Sequence, residues 1–327
     1  SANMIIDKGP EIKIDSVVVK GTSKVRPKYI QTYLGIRPKD LYNESRIRNV
    51  RVRIKELPFV AENRDPLVRF EEDKAKVYLF LDKRKASEFD GILGVLPNSQ
   101  DPGKVLITGE LKLKLLSAFG RGELISLQWQ KLQARTQRLD VVLTVPFLFN
   151  TPFGIDGSFN LYKRDTLFLN LQGKGGIMYQ MRGGDHLSVF VDARTTNVIA
   201  RSILINGSGA LKPDYVDSKI LLYGFGATIS RLDYRFNPRK GFDVIGEVSA
   251  GTKTIDKDAT VPPERYAGLS SHSFIANAKL EANYFIPIAK RQTIRIGLKG
   301  GYIYSNQLFE SEMFRIGGLK TLRGFDE

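Results

Sequence analysis

Cysteine is absent from the 327 residues, and histidine occurs only twice, as His186 and His272. The first absence removes disulfides and thiolate metal ligands, and suits an envelope protein that avoids stray oxidation. The two histidines fall in separate predicted strands, and no His, Asp or Glu spacing matches a metal motif. Long apolar runs are lacking too. Stretches such as Ile220–Tyr223 are typical, far short of the roughly 18 residues that a membrane-crossing helix needs. This excludes helical spans but not a membrane barrel, whose strands need only about 9–11 residues of alternating pattern. No Gly-x-Ser-x-Gly elbow occurs, which argues against an in-chain lipase. Gly224-Phe225-Gly226 runs on into Ala, Thr and Ile, so the dinucleotide fingerprint fails and small residues on a strand are the better reading. Asp256–Asp258 reads as a solvated loop, not a calcium site. With no catalytic set, metal site or cofactor motif, the chain reads as a non-enzyme.

Hydrophobic residues make up 42% and charged residues 26%, which is not the composition of a disordered chain. The net charge of +15 raises nucleic acid or an anionic membrane surface as partners. Residues 1–90 carry 20 basic and 14 acidic groups, leaving +9 for the rest. The charge is thus spread along the chain, not gathered into a groove, and nucleic acid is not the expected partner. Ser1-Ala2-Asn3-Met4 shows neither a basic n-region nor an apolar h-region, so an exported chain would have lost its leader.

Two regions differ in period. The first opens with an Ile/Val-rich stretch from Glu11 to Lys20 that stops at Gly21-Thr22-Ser23. Pro27 suits the first turn of a short helix running to Leu34, with Gly35 as its stop. Asn43 is a natural cap for a second helix. There Ile47, Val50, Ile54 and Leu57 form an apolar stripe flanked by Arg46, Arg48, Arg51, Arg53 and Lys55, and Pro58 ends it. Strands follow at Leu67–Glu72 and Lys76–Asp82, around an acidic turn near Asp73-Lys74. The spacing predicts two helices packed on a small sheet.

From residue 88 onward the period is two. Phe274, Ala276, Ala278, Leu280, Ala282, Tyr284 and Ile286 share one face; Ile275, Asn277, Lys279, Glu281, Asn283 and Phe285 share the other. Eleven strands are predicted, near 88–96, 105–118, 123–133, 138–149, 155–163, 167–181, 186–196, 218–232, 242–255, 272–287 and 292–305. Several exceed the five or six residues usual in globular proteins. Connections alternate between short (120–122, 182–185, 289–292) and long (197–217, 257–271, the tail after 305), as in outer-membrane barrels with short periplasmic turns and long external loops. Aromatic residues near strand ends (Phe147 and Phe149, Tyr284 and Phe285, Tyr302 and Tyr304) fit interfacial girdles. A soluble sandwich or lipocalin-like barrel also alternates, but with shorter strands and its apolar face turned inward.

Near the C-terminus stands Phe314-Arg315-Ile316-Gly317-Gly318-Leu319-Lys320-Thr321-Leu322-Arg323-Gly324-Phe325. It resembles the signature loop of the BamA-type outer-membrane assembly family, in which a glycine pair precedes Arg-Gly-Phe/Tyr after the eleventh of sixteen strands. Phe119-Gly120-Arg121-Gly122-Glu123 resembles that family's first periplasmic turn. Asp233-Tyr234-Arg235-Phe236-Asn237-Pro238-Arg239-Lys240-Gly241 resembles its strand-turn-strand signature. The first region resembles a POTRA domain. The resemblance implies an α+β POTRA-like periplasmic domain (1–86), then the N-terminal part of an all-β antiparallel transmembrane β-barrel (87–327) ending in the signature loop. Eleven strands do not close a barrel, since bacterial barrels have even strand numbers; the expectation is that further strands, the Arg323 partner and upstream POTRA modules lie outside this sequence.

The implied function is folding and inserting other β-barrel proteins into the outer membrane. Unfolded barrel clients would add to the POTRA sheet edge. The first barrel strand, around Phe89, Gly91, Gly94 and Leu96, would part from the last and template incoming strands. Gly91 and Gly94 would soften pairing or simply provide curvature. In the signature loop, Gly317, Gly318 and Gly324 permit tight turns. Arg323 would lock the loop to a polar group on the inner wall or stand as a solvated loop arginine; Phe325 completes the motif. The lipid bilayer is an implied partner, with accessory lipoproteins and periplasmic chaperones as candidates and no cofactor. Three alternatives stay open: a transporter for one dedicated protein, a TamA-like translocation factor, and the barrel of a fused outer-membrane enzyme.

Overall fold

The computed structural model describes residues 11–97, 105–131, 136–165, 167–181, 184–199, 215–234, 237–259, 261–289 and 291–314. The N-terminal part comprises β1 (Lys13–Lys20), α1 (Pro27–Leu34), α2 (Glu44–Lys55), β2 (Val60–Glu71) and β3 (Lys74–Lys83). The sheet order is β1-β3-β2, with β3 parallel to β1 and antiparallel to β2. Pro27 opens α1, and Gly35 closes it in the left-handed conformation. Asn43 caps α2 by accepting the Arg46 N–H at 3.1 Å, an interaction worth about 1 kcal/mol. Val50, Ile54 and Leu57 are buried against Val77, Leu79 and Leu81 of β3, with Ile47 at the margin. The basic flank of α2 is largely neutralised on site: Arg48 pairs with Glu44, Arg51 with Glu62 and Asp65, and Arg53 with Glu56. Thr22 donates its N–H and hydroxyl to Asp82 and holds that carboxyl below the usual carboxylate range.

β2 begins at Val60, seven residues before the predicted Leu67. Its register shifts between Glu62 and Arg64 and again between Arg64 and Leu67, so no clean period of two marks its first half. Pro66 is tolerated because β2 is an edge strand and needs no N–H on its outer side.

The second part is an eleven-stranded antiparallel sheet in sequence order. Its strands are β4 (Glu88–Pro97), β5 (Val105–Leu116), β6 (Leu124–Lys131), β7 (Gln137–Val145), β8 (Phe153–Arg164), β9 (Phe168–Gln180), β10 (His186–Val198), β11 (Ser218–Leu232), β12 (Gly241–Ile255), β13 (His272–Ala289) and β14 (Gln292–Ser305). The apolar face is the exposed one: Phe274, Leu280, Tyr284 and Ile286 of β13 are exposed, while Asn277 and Asn283 on its other face are buried. A soluble sandwich would reverse this. An exposed apolar face backed by a polar one is what a bilayer-spanning barrel wall requires. Tyr302 and Tyr304 stand on the outer face as predicted. Phe285, opposite Arg295, lies on the inner one.

β7 stops at Val145, not at the predicted residue 149. Pro146 has no N–H for the ladder, and Phe147 and Phe149 both take positive φ (54° and 51°). Phe147 therefore turns away from the lipid face and meets Tyr29 of α1 edge-on at 5.6 Å. Phe147 and Leu116 pack against the N-terminal core, and the Arg26 N–H donates to the Gly120 carbonyl at 2.9 Å. Gly120 and Gly122 both have positive φ; a Cβ on Gly120 would strike the Lys24 carbonyl, and one on Gly122 the Tyr29 ring. The β5–β6 and β7–β8 turns thus form a seat for α1. Gly122→Ala should unseat α1 and speed tryptic cleavage after Lys24 and Lys28. Gly300→Ala, where nothing lies within 4 Å, should leave cleavage unchanged; equal cleavage of the two variants would count against the seat.

Candidate functional site

Alternation places one polar ladder along the inner face of the sheet. Arg138 pairs with Asp140 at 2.8 Å, and Asn160 donates to the same carboxylate. Gln172 and Arg194 both bind Asp192, which is buried. Lys174 reaches across to Glu247 at 2.7 Å and lies 3.8 Å from the centre of the Phe190 ring. Asn283 bridges Asp243 and Arg295 at 3.0 and 2.9 Å. Asp140, Asp192, Glu247, Asp243 and Arg295 each take a partner from another strand, so the ladder cross-links the wall while keeping the inner surface polar.

The segment after β14 folds back onto this wall. Glu312 accepts from Lys253 Nζ at 2.6 Å and from the Ser218 hydroxyl at 3.4 Å. Lys253 Nζ also donates to the Gln307 carbonyl at 2.8 Å and sits 4.1 Å from the centre of the Phe309 ring. Asn170 donates to the Ser311 carbonyl. The Lys253 and Glu312 side chains are 0% and 3% exposed. Phe309 joins Val198, Val216, Ile255, Val261, Tyr266 and Leu269 in a small core at the far end of the sheet from α1. The base of the signature segment is therefore pinned on the inner side of the sheet. Gly317, Gly318, Arg323, Gly324 and Phe325 lie outside the described residues.

The predicted turn residues sit at the α1 end of the sheet. Gly120 and Gly122 belong to a turn closed by buried Glu123, which accepts the N–H groups of Phe119 and Arg121. Asp233, Asn237 and Pro238 lie between β11 and β12, whereas Gly241 is the first residue of β12 and pairs with Leu232. Burial pushes the Asp233 carboxyl up, but hydrogen bonds from backbone N–H groups, Arg239 and Lys240 foremost, outweigh it and leave its pKa below the ordinary value. Asp185, in the neighbouring turn, is buried and binds Arg231 and the Ser230 N–H. Neither Asp185 nor the Lys253–Glu312 pair stood out in the sequence, because each joins residues about 45 to 60 positions apart. Phe89, Gly91, Gly94 and Leu96 all fall on β4, an edge of the sheet. Among the described residues, no group of three or more His, Asp or Glu side chains is placed to hold a metal.

Lys253→Met should leave Glu312 buried without its cation, a loss of about 3–5 kcal/mol, seen as earlier urea unfolding and protease cleavage between Gln307 and Phe314. Lys253→Met combined with Glu312→Leu should recover much of the loss; no recovery would show that the pair is not what pins the segment. For Asp233 the depressed pKa means its stabilisation is complete above the unfolded-state value and is lost as pH falls through the folded one. Hydrogen exchange should find the Arg239 and Lys240 amides protected down through the ordinary carboxylate range and released only below it. Asp233→Ala should release them at every pH.

The fold and this geometry match known proteins. A family model described as Omp85 superfamily domain matches residues 118–327, more than half of the chain. A POTRA model, described as surface antigen variable number repeat, matches residues 12–81. No curated protein matches the sequence. Among solved structures, BamA from Haemophilus ducreyi lacking POTRA domains 1-3 is similar at 13% identity and a TM-score of 0.50, over 98% of this chain and 61% of that one. CdiB from Acinetobacter baumannii is similar at 14% identity and a TM-score of 0.54, over 97% and 57%. CdiB from Escherichia coli gives 11% and 0.53, over 96% and 58%. The chain spans about three-fifths of the length of these structures, and at such identities the likeness is one of fold. An exposed apolar barrel wall, a polar inner ladder and a POTRA domain seated on the short-turn end thus agree with the family match: this chain belongs to the Omp85 superfamily, with its barrel in the outer membrane and its POTRA domain in the periplasm.

Proposed function

We propose that this protein is an outer-membrane assembly factor that folds and inserts β-barrel clients, with residues 1–86 as the periplasmic receiver and 87–327 as the barrel part. The Omp85 family consists of assembly and transport proteins, not enzymes. The observation that supports assembly most is strand β4. It opens the barrel with Gly91 and Gly94 set among apolar residues, Phe89, Leu93 and Val95 each more than 60% exposed, and glycine weakens strand pairing, so a seam between β4 and the last strand of a closed barrel parts readily. A free edge in hydrocarbon costs several kcal/mol for each unpaired backbone group, so an incoming strand gains much by pairing there. On the POTRA sheet the two edges differ. The start of β1 is covered by residues 39–42, through the Lys13–Leu41 bridge and the Tyr42 N–H to Ile12 carbonyl bond. β2 is left open, with Leu67 and Phe70 about half exposed, and is the better receiving edge. In this reading Arg323 locks the signature loop inside the barrel. Accessory lipoproteins and periplasmic chaperones would deliver clients to the POTRA domain.

The test is depletion of the full-length protein in its native cell, followed by measurement of heat-modifiable, folded barrel proteins in the outer membrane. A broad loss across unrelated barrels is expected. Unchanged barrels with a single secreted protein missing would reject assembly in favour of a dedicated transporter. Complementation with Gly91→Ala and Gly94→Ala then tests the seam. The one close contact of each new Cβ is a side-chain atom, Leu111 Cδ2 at 2.7 Å or the Thr108 hydroxyl at 2.9 Å, with the nearest backbone oxygen at 3.6 and 4.0 Å. Each substitution should firm β4 by about 0.5–1 kcal/mol and slow client insertion about two- to fivefold; wild-type rates would assign these glycines to curvature alone.

A further inference from the structure

We propose that the corner between α1 and the first two periplasmic turns binds the phosphate headgroup of an acidic phospholipid in the periplasmic leaflet. A cleft of about 200 Å³ opens there, lined by Arg26, Lys28 and Arg121 together with Tyr29, Phe147 and Phe149. Three cations line it and no carboxylate does. All three are exposed, and none makes an ion pair among the described residues. This contrasts with α2, whose arginines are paired on site.

The nearest acidic group on the turn is already occupied. Glu123 is 4% exposed and accepts the N–H groups of Phe119 and Arg121. It fixes the turn backbone and leaves the Arg121 guanidinium directed to solvent. The Arg26 N–H is tied to the Gly120 carbonyl at 2.9 Å, which holds the cations of α1 beside the one on the turn. The cluster is therefore preorganised by backbone contacts and does not depend on long side chains finding each other.

Two aromatic rings set its height. Phe149 is 90% exposed and Phe119 72%, and both stand at the rim where the lipid-facing strands end. Phe149 is held at φ 51°, a conformation that a bulky residue adopts at a cost. A ring presented to water in a strained turn gains by entering the bilayer interface, where aromatic residues concentrate at headgroup level. With Phe149 and Phe119 at that depth, Arg26, Lys28 and Arg121 lie level with lipid phosphates. An anionic headgroup then meets three cations, and its acyl chains run along the apolar outer face of the sheet. The inference rests on the outer-membrane placement of the barrel and is independent of which clients it handles.

The test uses the full chain purified in micelles doped with equal amounts of phosphatidylglycerol and phosphatidylethanolamine, with retained lipid counted by native mass spectrometry. The wild type should retain the acidic lipid preferentially. Each cation removed in Arg26→Gln, Lys28→Gln and Arg121→Gln should lower that preference roughly fivefold. Lys13→Gln and Lys74→Gln, paired at the end of β1 opposite the segment that leads into Arg26, should leave it intact. Arg121→Gln alone serves if the triple variant fails the heat-modifiability check of folding. Equal retention of both lipids by the wild type, or an unchanged preference in the Arg121 variant, would overturn the proposal.

Discussion

In hydrocarbon a backbone N–H or C=O has no water to turn to, and each unpaired group costs several kcal/mol. The second part of this chain is organised around that constraint. Eleven strands pair each with the next, so every interior strand satisfies its backbone on both sides. Alternation then does the rest: one set of side chains faces lipid and the other faces the inner wall. Wherever two such strands part, the constraint is released, and an unsatisfied edge is where another strand can pair.

The inner ladder and the refolded segment follow from the same division. A polar inner face would be poorly held if its charges were independent, but Asp192, Glu247 and Asp243 each take partners from neighbouring or more distant strands. The Lys253–Glu312 pair goes further. It draws the chain after β14 back against β12 and buries both charges. A buried pair contributes little net stability against an apolar alternative, yet breaking it is costly. It therefore serves register better than strength, fixing where the segment before Arg323 sits.

At the opposite end, the POTRA domain is not merely tethered. Tyr29, Phe147, Gly120 and Gly122 make a fitted contact in which backbone strain at Phe147 is offset by burial. The same seat gathers Arg26, Lys28 and Arg121 beside exposed aromatics. One junction thus orients the POTRA domain and holds the cations proposed to bind lipid.

The strands from β4 onward were readable because burial on one face imposes a period of two over lengths that no globular strand needs. Asn43, Gly35 and Pro27 announced the helix ends because capping chemistry is local, and the glycine-rich turns and the Arg-Gly-Phe segment carried the family resemblance in contiguous residues. The early start of β2 escaped because bulges around Arg64 erase the period. Phe147 looked like a girdle residue, since nothing within a few positions of it reveals Tyr29. Lys253 and Glu312 each read as ordinary charged residues. Sequence alone determined the two-part architecture, the strand count and which face of each strand is apolar, because these depend on neighbours one to four residues apart. Only tertiary structure decided which charges pair across the wall, where the segment after β14 docks and how α1 seats on the turns, because those contacts join residues that chain order keeps far apart.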